Sequence, residues 1–128
     1  MTEKQTPVVF VVDDEMVISE SLAIILRKNG YAARSFTDSI EALEHIHTEP
    51  PDILISDVIM PRLSGIDLAL QVRALFSGCK ILLFSGQAST TDLLDKARKQ
   101  GHSFRLLSKP IHPTALLQEI GRLHGTPL

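Results

Sequence analysis

Five short apolar runs, each followed by a helical pattern, constrain the fold of this chain more than any other feature. The runs read PVVFVV, YAARSF, DILIS, KILLFS and FRLLS. Most are continuous and aliphatic, which is typical of strands buried on both faces of a parallel sheet. In the segments that follow, apolar residues recur at the three- and four-residue spacing of a helix face. This alternation predicts an α/β fold with a mainly parallel sheet, right-handed crossovers and helices on both faces.

Local signals indicate where the five helices begin and end. The first covers about residues 15–29. The second follows Asp38, a favourable N-cap residue, over the segment SIEALEHIH. The third begins near Ile66, the fourth spans about residues 90–100, and Pro113 suits the first turn of the fifth. The prediction is a single domain of five strand–helix units.

Length and composition predict one soluble domain. A chain of 128 residues is long enough for one core and too short for two. Charged residues make up 22% and the formal net charge is -2, which gives no bias towards nucleic acid. No apolar run approaches the roughly 20 residues of a membrane span, and the start MTEKQTP lacks the apolar core of a signal peptide. We expect a cytoplasmic protein with one domain over residues 7–124, flanked by a flexible tail at 1–6 and a second tail at 125–128.

The histidines and the single cysteine show no metal-ligand spacing. His45 and His47 lie two apart on a predicted helix and cannot share one face, which indicates two solvated residues. Cys79 has no second ligand at a useful spacing, and alone it cannot form an internal disulfide. We assign these residues no role.

Polar and charged residues stand where the predicted strands end. In chain order they are Asp13 and Asp14, Asp57, Ser85, and Lys109. Ligands of open α/β sheets bind beyond the carboxyl ends of the strands, near the point where strand order reverses. One acid at a strand end is usually solvated or a helix N-cap, as Asp14 would be before EMVISE. Five such residues at one edge instead predict a site.

Three carboxylates in one place need positive charge beside them. At about 4 Å and an effective dielectric constant of about 20, each like-charge pair costs about 4 kcal/mol. Lys109 is one candidate cation, and Mg²⁺, which prefers oxygen ligands, is the other. A carboxylate neutralised in this way can attack phosphorus and form an acyl phosphate. Asp57 is the best candidate nucleophile, while Ser85 and Lys109 offer a hydroxyl and an ammonium to phosphoryl oxygens.

Over essentially its whole length, the chain resembles the receiver domain of two-component response regulators. The resemblance is carried by VVDDE, DVIMPRLSG, FSG and LLSKP, each at the end of a predicted strand. Each segment is a weak signal alone, but the four in this order are highly specific. The resemblance implies a doubly wound, flavodoxin-like (βα)5 three-layer sandwich with sheet order 2-1-3-4-5. It also implies a cis peptide bond between Lys109 and Pro110.

The same resemblance implies a signalling switch rather than an enzyme that turns over a separate substrate. Asp57 would accept a phosphoryl group from the phosphohistidine of a sensor histidine kinase or histidine phosphotransfer protein. Mg²⁺ would bind Asp14, Asp57 and the backbone carbonyl of Ile59, with Asp13 contributing through water. The domain would catalyse only its own phosphotransfer and autodephosphorylation.

The partners that the resemblance implies are that phosphodonor and an unknown output protein. The output protein would bind the face made by helix 4, strand 5 and helix 5, and a homodimer through this face is a testable option. No output domain fits after the fifth helix, so we expect a stand-alone receiver or a module of a longer regulator.

Leu106 departs from the family pattern, since receivers commonly carry an aromatic residue three positions before the lysine. Rotation of that ring reports phosphorylation to the output face, and leucine has no ring to rotate. Phe104 lies on the same side of the strand but two residues away. One alternative is therefore a phosphorylation-independent binding module with Leu106 in a constitutive interface. Ile59 and Gln87 occupy positions that influence how water reaches the phosphoryl group in this family.

Other doubly wound proteins fit the sequence less well. A nucleotide-binding protein would need a G-x-x-x-x-G-K-[ST] or G-x-G-x-x-G segment, and neither is found. A phosphatase of the haloacid dehalogenase type would have a second aspartate where Ile59 stands. A flavodoxin is disfavoured because acids after the first strand would repel the flavin phosphate.

Overall fold

The computed structural model describes residues 6–86 and 90–124. The predicted tails therefore fall outside the described residues, except for Thr6, and so does Gln87. Within these residues, five strands and five helices alternate, as the sequence predicts. The strands are β1 (Val8–Val12), β2 (Ala32–Phe36), β3 (Ile53–Asp57), β4 (Lys80–Ser85) and β5 (Arg105–Ser108). The helices are α1 (Met16–Lys28), α2 (Ser39–Thr48), α3 (Gly65–Leu75), α4 (Thr90–Lys99) and α5 (Pro113–His124).

All the strand pairs are parallel, and the sheet order is β2-β1-β3-β4-β5. This is the predicted order. The chain steps outward from β1 to β2, returns to β3 on the other side of β1, and continues to β5. The order reverses between β1 and β3, so ligands are expected at the carboxyl ends of these two strands.

Helices pack on both faces of the sheet through two apolar clusters, so the domain has three layers. On one face, residues of α2, α3 and α4 pack together, among them Ala42, Ile46, Leu68, Val72 and Ala97. On the other face, α1 and α5 contribute Leu22, Leu26, Leu116 and Ile120. All five residues of β3 are buried, because this strand lies in the middle of the sheet with helices on both sides.

Polar side chains cap the N-termini of α2 and α3. Asp38 is the N-cap of α2, as predicted, and its carboxylate accepts a hydrogen bond from the N–H of Ile40 at 3.0 Å. Ser64 caps α3 by accepting from the N–H of Asp67 at 3.1 Å. These bonds satisfy N–H groups that the first turn of a helix leaves without backbone partners.

One sequence expectation about this layer was wrong. His45 is half-buried rather than solvated, and its ring lies 5.3 Å from the ring of Phe36. The helical spacing correctly places His45 and His47 on different faces of α2. It does not show that an aromatic ring of β2 lies beside His45.

Candidate functional site

The carboxyl ends of the strands bring the predicted site residues to one edge of the sheet. Asp13 directly follows β1, and Asp57 is the last residue of the neighbouring strand β3. On the other side of β3, Ser85 ends β4 and pairs in register with Ser108, the last residue of β5. Lys109 directly follows Ser108, so its side chain reaches the same edge of the sheet from the outer strand β5.

Three carboxylates form a cluster at this edge. One carboxylate oxygen from each of Asp13, Asp14 and Asp57 lies within 4.8 Å of the others. Asp13 is fully buried and Asp57 is 7% exposed, whereas Asp14 is exposed to solvent. The cluster therefore has two buried members and one at its open side.

Lys109 bridges the two buried carboxylates. Its Nζ donates to Asp13 Oδ2 at 2.9 Å and to Asp57 Oδ2 at 3.3 Å. The lysine side chain is 19% exposed, and its ammonium lies 5.2 Å from the centre of the Phe84 ring. The backbone N–H of Lys109 donates to the carbonyl of Ser85 at 3.0 Å, and the peptide bond to Pro110 is cis, as the resemblance implies.

Charge and burial shift the proton affinities of these groups. Burial raises the pKa of Asp57, the nearby charge of Asp13 raises it further, and Lys109 only partly offsets both. Burial would lower the pKa of Lys109, but its hydrogen bond to Asp13 and the charges of both carboxylates outweigh burial and raise it. Lys109 therefore stays an ammonium, and one positive charge faces three carboxyl groups.

A cavity of about 600 Å³ opens beside the cluster. Its walls are formed by Asp14, Glu15, Asp57, Ile59, Met60, Pro61, Gly86 and Lys109. Three of these residues belong to the loop between β3 and α3, so that loop makes one side of the cavity. The opening gives a small anionic group a route to the carboxylate of Asp57.

The β3–α3 loop is tied closely to the end of β3. The N–H of Val58 donates to the carbonyl of Phe84 at 3.1 Å, and the N–H of Gly65 donates to the carbonyl of Val58 at 2.8 Å. A Cβ added at Gly65 would lie 1.9 Å from the backbone carbonyl oxygen of Asp57. Gly65 is therefore needed for this close approach, because any side chain at this position would clash with the backbone.

The acids after β1 have different local roles. Asp13 accepts a hydrogen bond from the N–H of Glu15 at 2.8 Å, which shapes the turn into α1. The N-cap of α1 is Glu15, and no side chain makes a cap hydrogen bond there. Asp14 is thus not the helix cap that its position also allowed, and its carboxylate points to the cluster instead.

The other predicted residues lie around this cluster. Ser85 is 6% exposed, and Gly86 next to it lines the cavity. Ile59 also lines the cavity, two residues after Asp57. Leu106 lies in β5 opposite Leu83, half-buried against the apolar cluster of the α2–α4 face.

The donor set fits Mg²⁺. Three carboxylate oxygens are the hard ligands that this ion prefers, and Asp14 leaves the cluster open to water or a phosphoryl oxygen. A single ammonium does not balance three carboxylates, so a divalent cation would relieve the remaining repulsion. Among the described residues this cluster holds aspartates alone, without the thiolate or imidazole ligands that favour zinc.

Comparison with known proteins identifies the class of this domain. Residues 9–121 match the response regulator receiver domain family. The chain therefore belongs to that family, the part of two-component response regulators that accepts a phosphoryl group and acts as a signalling switch.

Named relatives and solved structures agree with this assignment. The chain is 38% identical to response regulator MprA of Mycobacterium ulcerans over 84 residues, which is 66% of this chain and 36% of that protein. The match thus covers little more than a third of that relative. The chemotaxis protein CheY4 of Vibrio cholerae has a similar fold, with a TM-score of 0.82, 27% identity, and coverage of 93% of this chain and 99% of that one. A putative response regulator from Chloroflexus aurantiacus gives a TM-score of 0.80 at 29% identity, with coverage of 93% and 98%.

Among the helices in the described part of the chain, none has the length and apolar composition needed to cross a membrane.

Proposed function

We propose that Asp57 accepts a phosphoryl group from the phosphohistidine of a sensor histidine kinase or a histidine phosphotransfer protein. The observation that carries this proposal is the convergence of Asp13, Asp57 and the Lys109 ammonium beside an open cavity. In the transfer, a carboxylate oxygen of Asp57 bonds to phosphorus, and the phosphorus–nitrogen bond breaks with its electron pair going to the ring nitrogen. The proton carried by the other ring nitrogen lets the histidine leave as a neutral imidazole. The product is an acyl phosphate.

The side chains around Asp57 would position and stabilise the transferring group. Phosphoryl transfer depends mainly on alignment and on compensation of charge at the equatorial oxygens. Lys109 would turn its ammonium from Asp57 towards a phosphoryl oxygen, and Ser85 would donate its hydroxyl to another. Gly86 keeps the neighbouring space open, since it has no side chain to fill the cavity that it lines.

The same edge of the sheet would hold Mg²⁺. Asp14, Asp57 and the backbone carbonyl of Ile59 would be ligands, and Asp13 would contribute through water. When bound, the ion would supply positive charge to the phosphoryl oxygens that Lys109 and Ser85 do not reach. Asp13 also holds Lys109 in place through the 2.9 Å contact.

The phosphorylated domain would act by changing a protein-binding face, in the cytoplasm, and not by turning over another substrate. We place that face on α4, β5 and α5, where an output protein or a second copy of the chain would bind. Phosphate would shift an existing equilibrium between two conformations, and hydrolysis of the acyl phosphate by the domain itself would reverse it.

Leu106 favours one alternative, a binding module that works without phosphate. Its side chain packs against the same apolar cluster as Phe104, and neither the switch ring nor its hydroxyl is present at position 106. In that case Asp57→Asn would leave binding of the output protein unchanged.

The proposal is tested by the intact mass of the protein after incubation with Mg²⁺ and acetyl phosphate. We expect one phosphate on the wild type and none on Asp57→Asn, which keeps the shape of the side chain. Removal of Mg²⁺ with a chelator should also prevent the modification. The absence of phosphate on folded wild type, even with a cognate kinase, would contradict the proposal and favour the alternative.

A further inference from the structure

The β3–α3 loop contains a strained turn whose central residue is Arg62. The N–H of Leu63 donates to the carbonyl of Pro61 at 2.8 Å, two residues back. Arg62 lies between them with φ 69, the only positive φ at a non-glycine residue in the described part of the chain. A three-residue turn with positive φ at its centre is rare and costs free energy when a side chain is present. Such a conformation persists when surrounding contacts hold it.

One of these contacts joins the loop to a different part of the fold. The guanidinium of Arg62 forms a hydrogen-bonded ion pair with Oδ2 of Asp38. Asp38 is itself fixed, because its Oδ1 accepts from the N–H of Ile40 as the N-cap of α2. Arg62 is thereby attached to the first turn of a packed helix.

The residues just before Arg62 form a wall of the candidate site, so the ion pair between Arg62 and Asp38 can position that wall. Pro61, directly before Arg62, lines the candidate metal and phosphate cavity, and so do Ile59 and Met60. Met60 is anchored in the core, and the loop ends at the close approach of Gly65 to Asp57. Between these anchors, the Arg62–Asp38 ion pair ties the β3–α3 loop, which forms one side of the cavity, to the start of α2.

We propose that Arg62 and Asp38 are a positioning pair that holds the cavity wall, and with it the Ile59 carbonyl, in place for Mg²⁺. This inference rests on the proposed function, since it requires the metal site described above. Neither residue touches the metal or the phosphoryl group. Both act through the backbone of residues 59–61.

The test is the affinity of the unphosphorylated protein for MgCl₂, measured from the shifts of backbone amide resonances. Asp38→Asn keeps the side-chain oxygen that caps α2 but removes the charge that holds Arg62. Arg62→Gly removes the pair yet suits the positive φ, because glycine adopts it without strain. Exposed pairs are weak, so we expect each variant to bind Mg²⁺ about three- to fivefold more weakly. Arg62→Lys, which keeps the charge, should restore most of the affinity.

Arg62→Gly separates positioning from two simpler explanations. Loss of a positive charge would by itself strengthen cation binding, so weaker binding is opposite in sign to a general charge effect. The relieved turn should leave the urea unfolding midpoint unchanged or higher, whereas a purely stabilising pair would lower it. The matched control Arg98→Gln removes an exposed arginine that pairs with Asp95 on α4, and its Mg²⁺ affinity should not fall.

Two outcomes would overturn the inference, and they are distinguishable. If wild type binds Mg²⁺, Asp57→Asn abolishes binding, and Arg62→Gly and Asp38→Asn bind as tightly as wild type, the metal site stands and the positioning role is wrong. If wild type does not bind Mg²⁺ at all, the metal site itself is wrong and the positioning role fails with it.

Discussion

A side chain at residue 65 cannot coexist with the present backbone of Asp57, because an ideal Cβ on Gly65 would lie 1.9 Å from the Asp57 carbonyl oxygen. Relief of this contact requires the start of α3 or the end of β3 to move. The position of the candidate phosphate acceptor therefore depends on a residue eight positions later in the chain.

Gly65→Ala should destabilise the domain by about 3 kcal/mol, since a backbone clash in a packed region forces the main chain to shift. Urea unfolding measures this change. Gly78→Ala is the matched control, because nothing lies within 4 Å of a Cβ added there, and it should change stability by less than about 0.5 kcal/mol. Equal effects of the two substitutions would show that the close approach at Gly65 is not a constraint.

Lys109→Met should strengthen Mg²⁺ binding by about threefold to tenfold, because it removes a positive charge that competes for Asp13 and Asp57. The affinity can be measured by titration of the unphosphorylated protein. Lys80→Met provides the control, since Lys80 is exposed at the start of β4, at the opposite end of the sheet. Weaker Mg²⁺ binding by Lys109→Met would mean that the lysine organises the carboxylates more than it competes with the ion.

Glu119 should make the stability of the fold depend on pH in the acidic range. Its carboxylate accepts hydrogen bonds from Arg105 at 3.0 and 2.8 Å, and these, with the charge of Arg122, lower its pKa from the ordinary 4.5. Because the folded-state pKa is the lower one, the ion pairs stabilise the fold above the ordinary pKa. This contribution is lost as the pH falls through the lowered value.

Glu119→Gln should therefore lower the melting temperature by a few degrees at pH 7, and the difference from wild type should vanish at strongly acidic pH. Thermal unfolding followed by circular dichroism at several pH values measures both. Arg122→Gln should have a smaller effect, because Arg122 is 71% exposed and leaves the two bonds from Arg105 intact. A difference that persists unchanged at low pH would rule out the ion pairs as its cause.

Cys79 should react slowly in the folded protein. Burial, together with the charge of Asp52, raises the pKa of its thiol to about 11, from an ordinary 9.0. Only the thiolate reacts, so alkylation by iodoacetamide at pH 8 should be about 100-fold slower in the folded protein than in urea. Equal rates in the two states would show that the thiol is not held in the protonated form.

Much of the fold could be predicted from the sequence because each element carries its own signal. A strand such as β4 appears as a continuous apolar run, KILLFS, and Asp38 marks the start of α2 with a capping side chain. The clustering of the candidate site residues could be predicted from the sequence in the same way. Its residues directly follow strands, and parallel strands end at one edge of the sheet.

The sequence did not predict contacts between distant segments that have no local pattern. Arg62 and Asp38 are 24 positions apart. The local sequence pattern predicts neither the strained turn at Arg62 nor its ion pair with Asp38. The clash that requires Gly65 depends on backbone positions, and the environment of His45 depends on which strand packs beneath α2. Such features follow from packing, which sequence spacing does not describe.

We propose that Asp57 carries the phosphoryl group, and the decisive experiment locates that group in the chain. Borohydride reduces an acyl phosphate to an alcohol, so a phosphorylated aspartate becomes homoserine, whose position can be read by tandem mass spectrometry. After treatment with acetyl phosphate and Mg²⁺, we expect homoserine at position 57 and at no other aspartate. Homoserine at Asp13 or Asp14, or phosphate that survives reduction on another residue type, would contradict it.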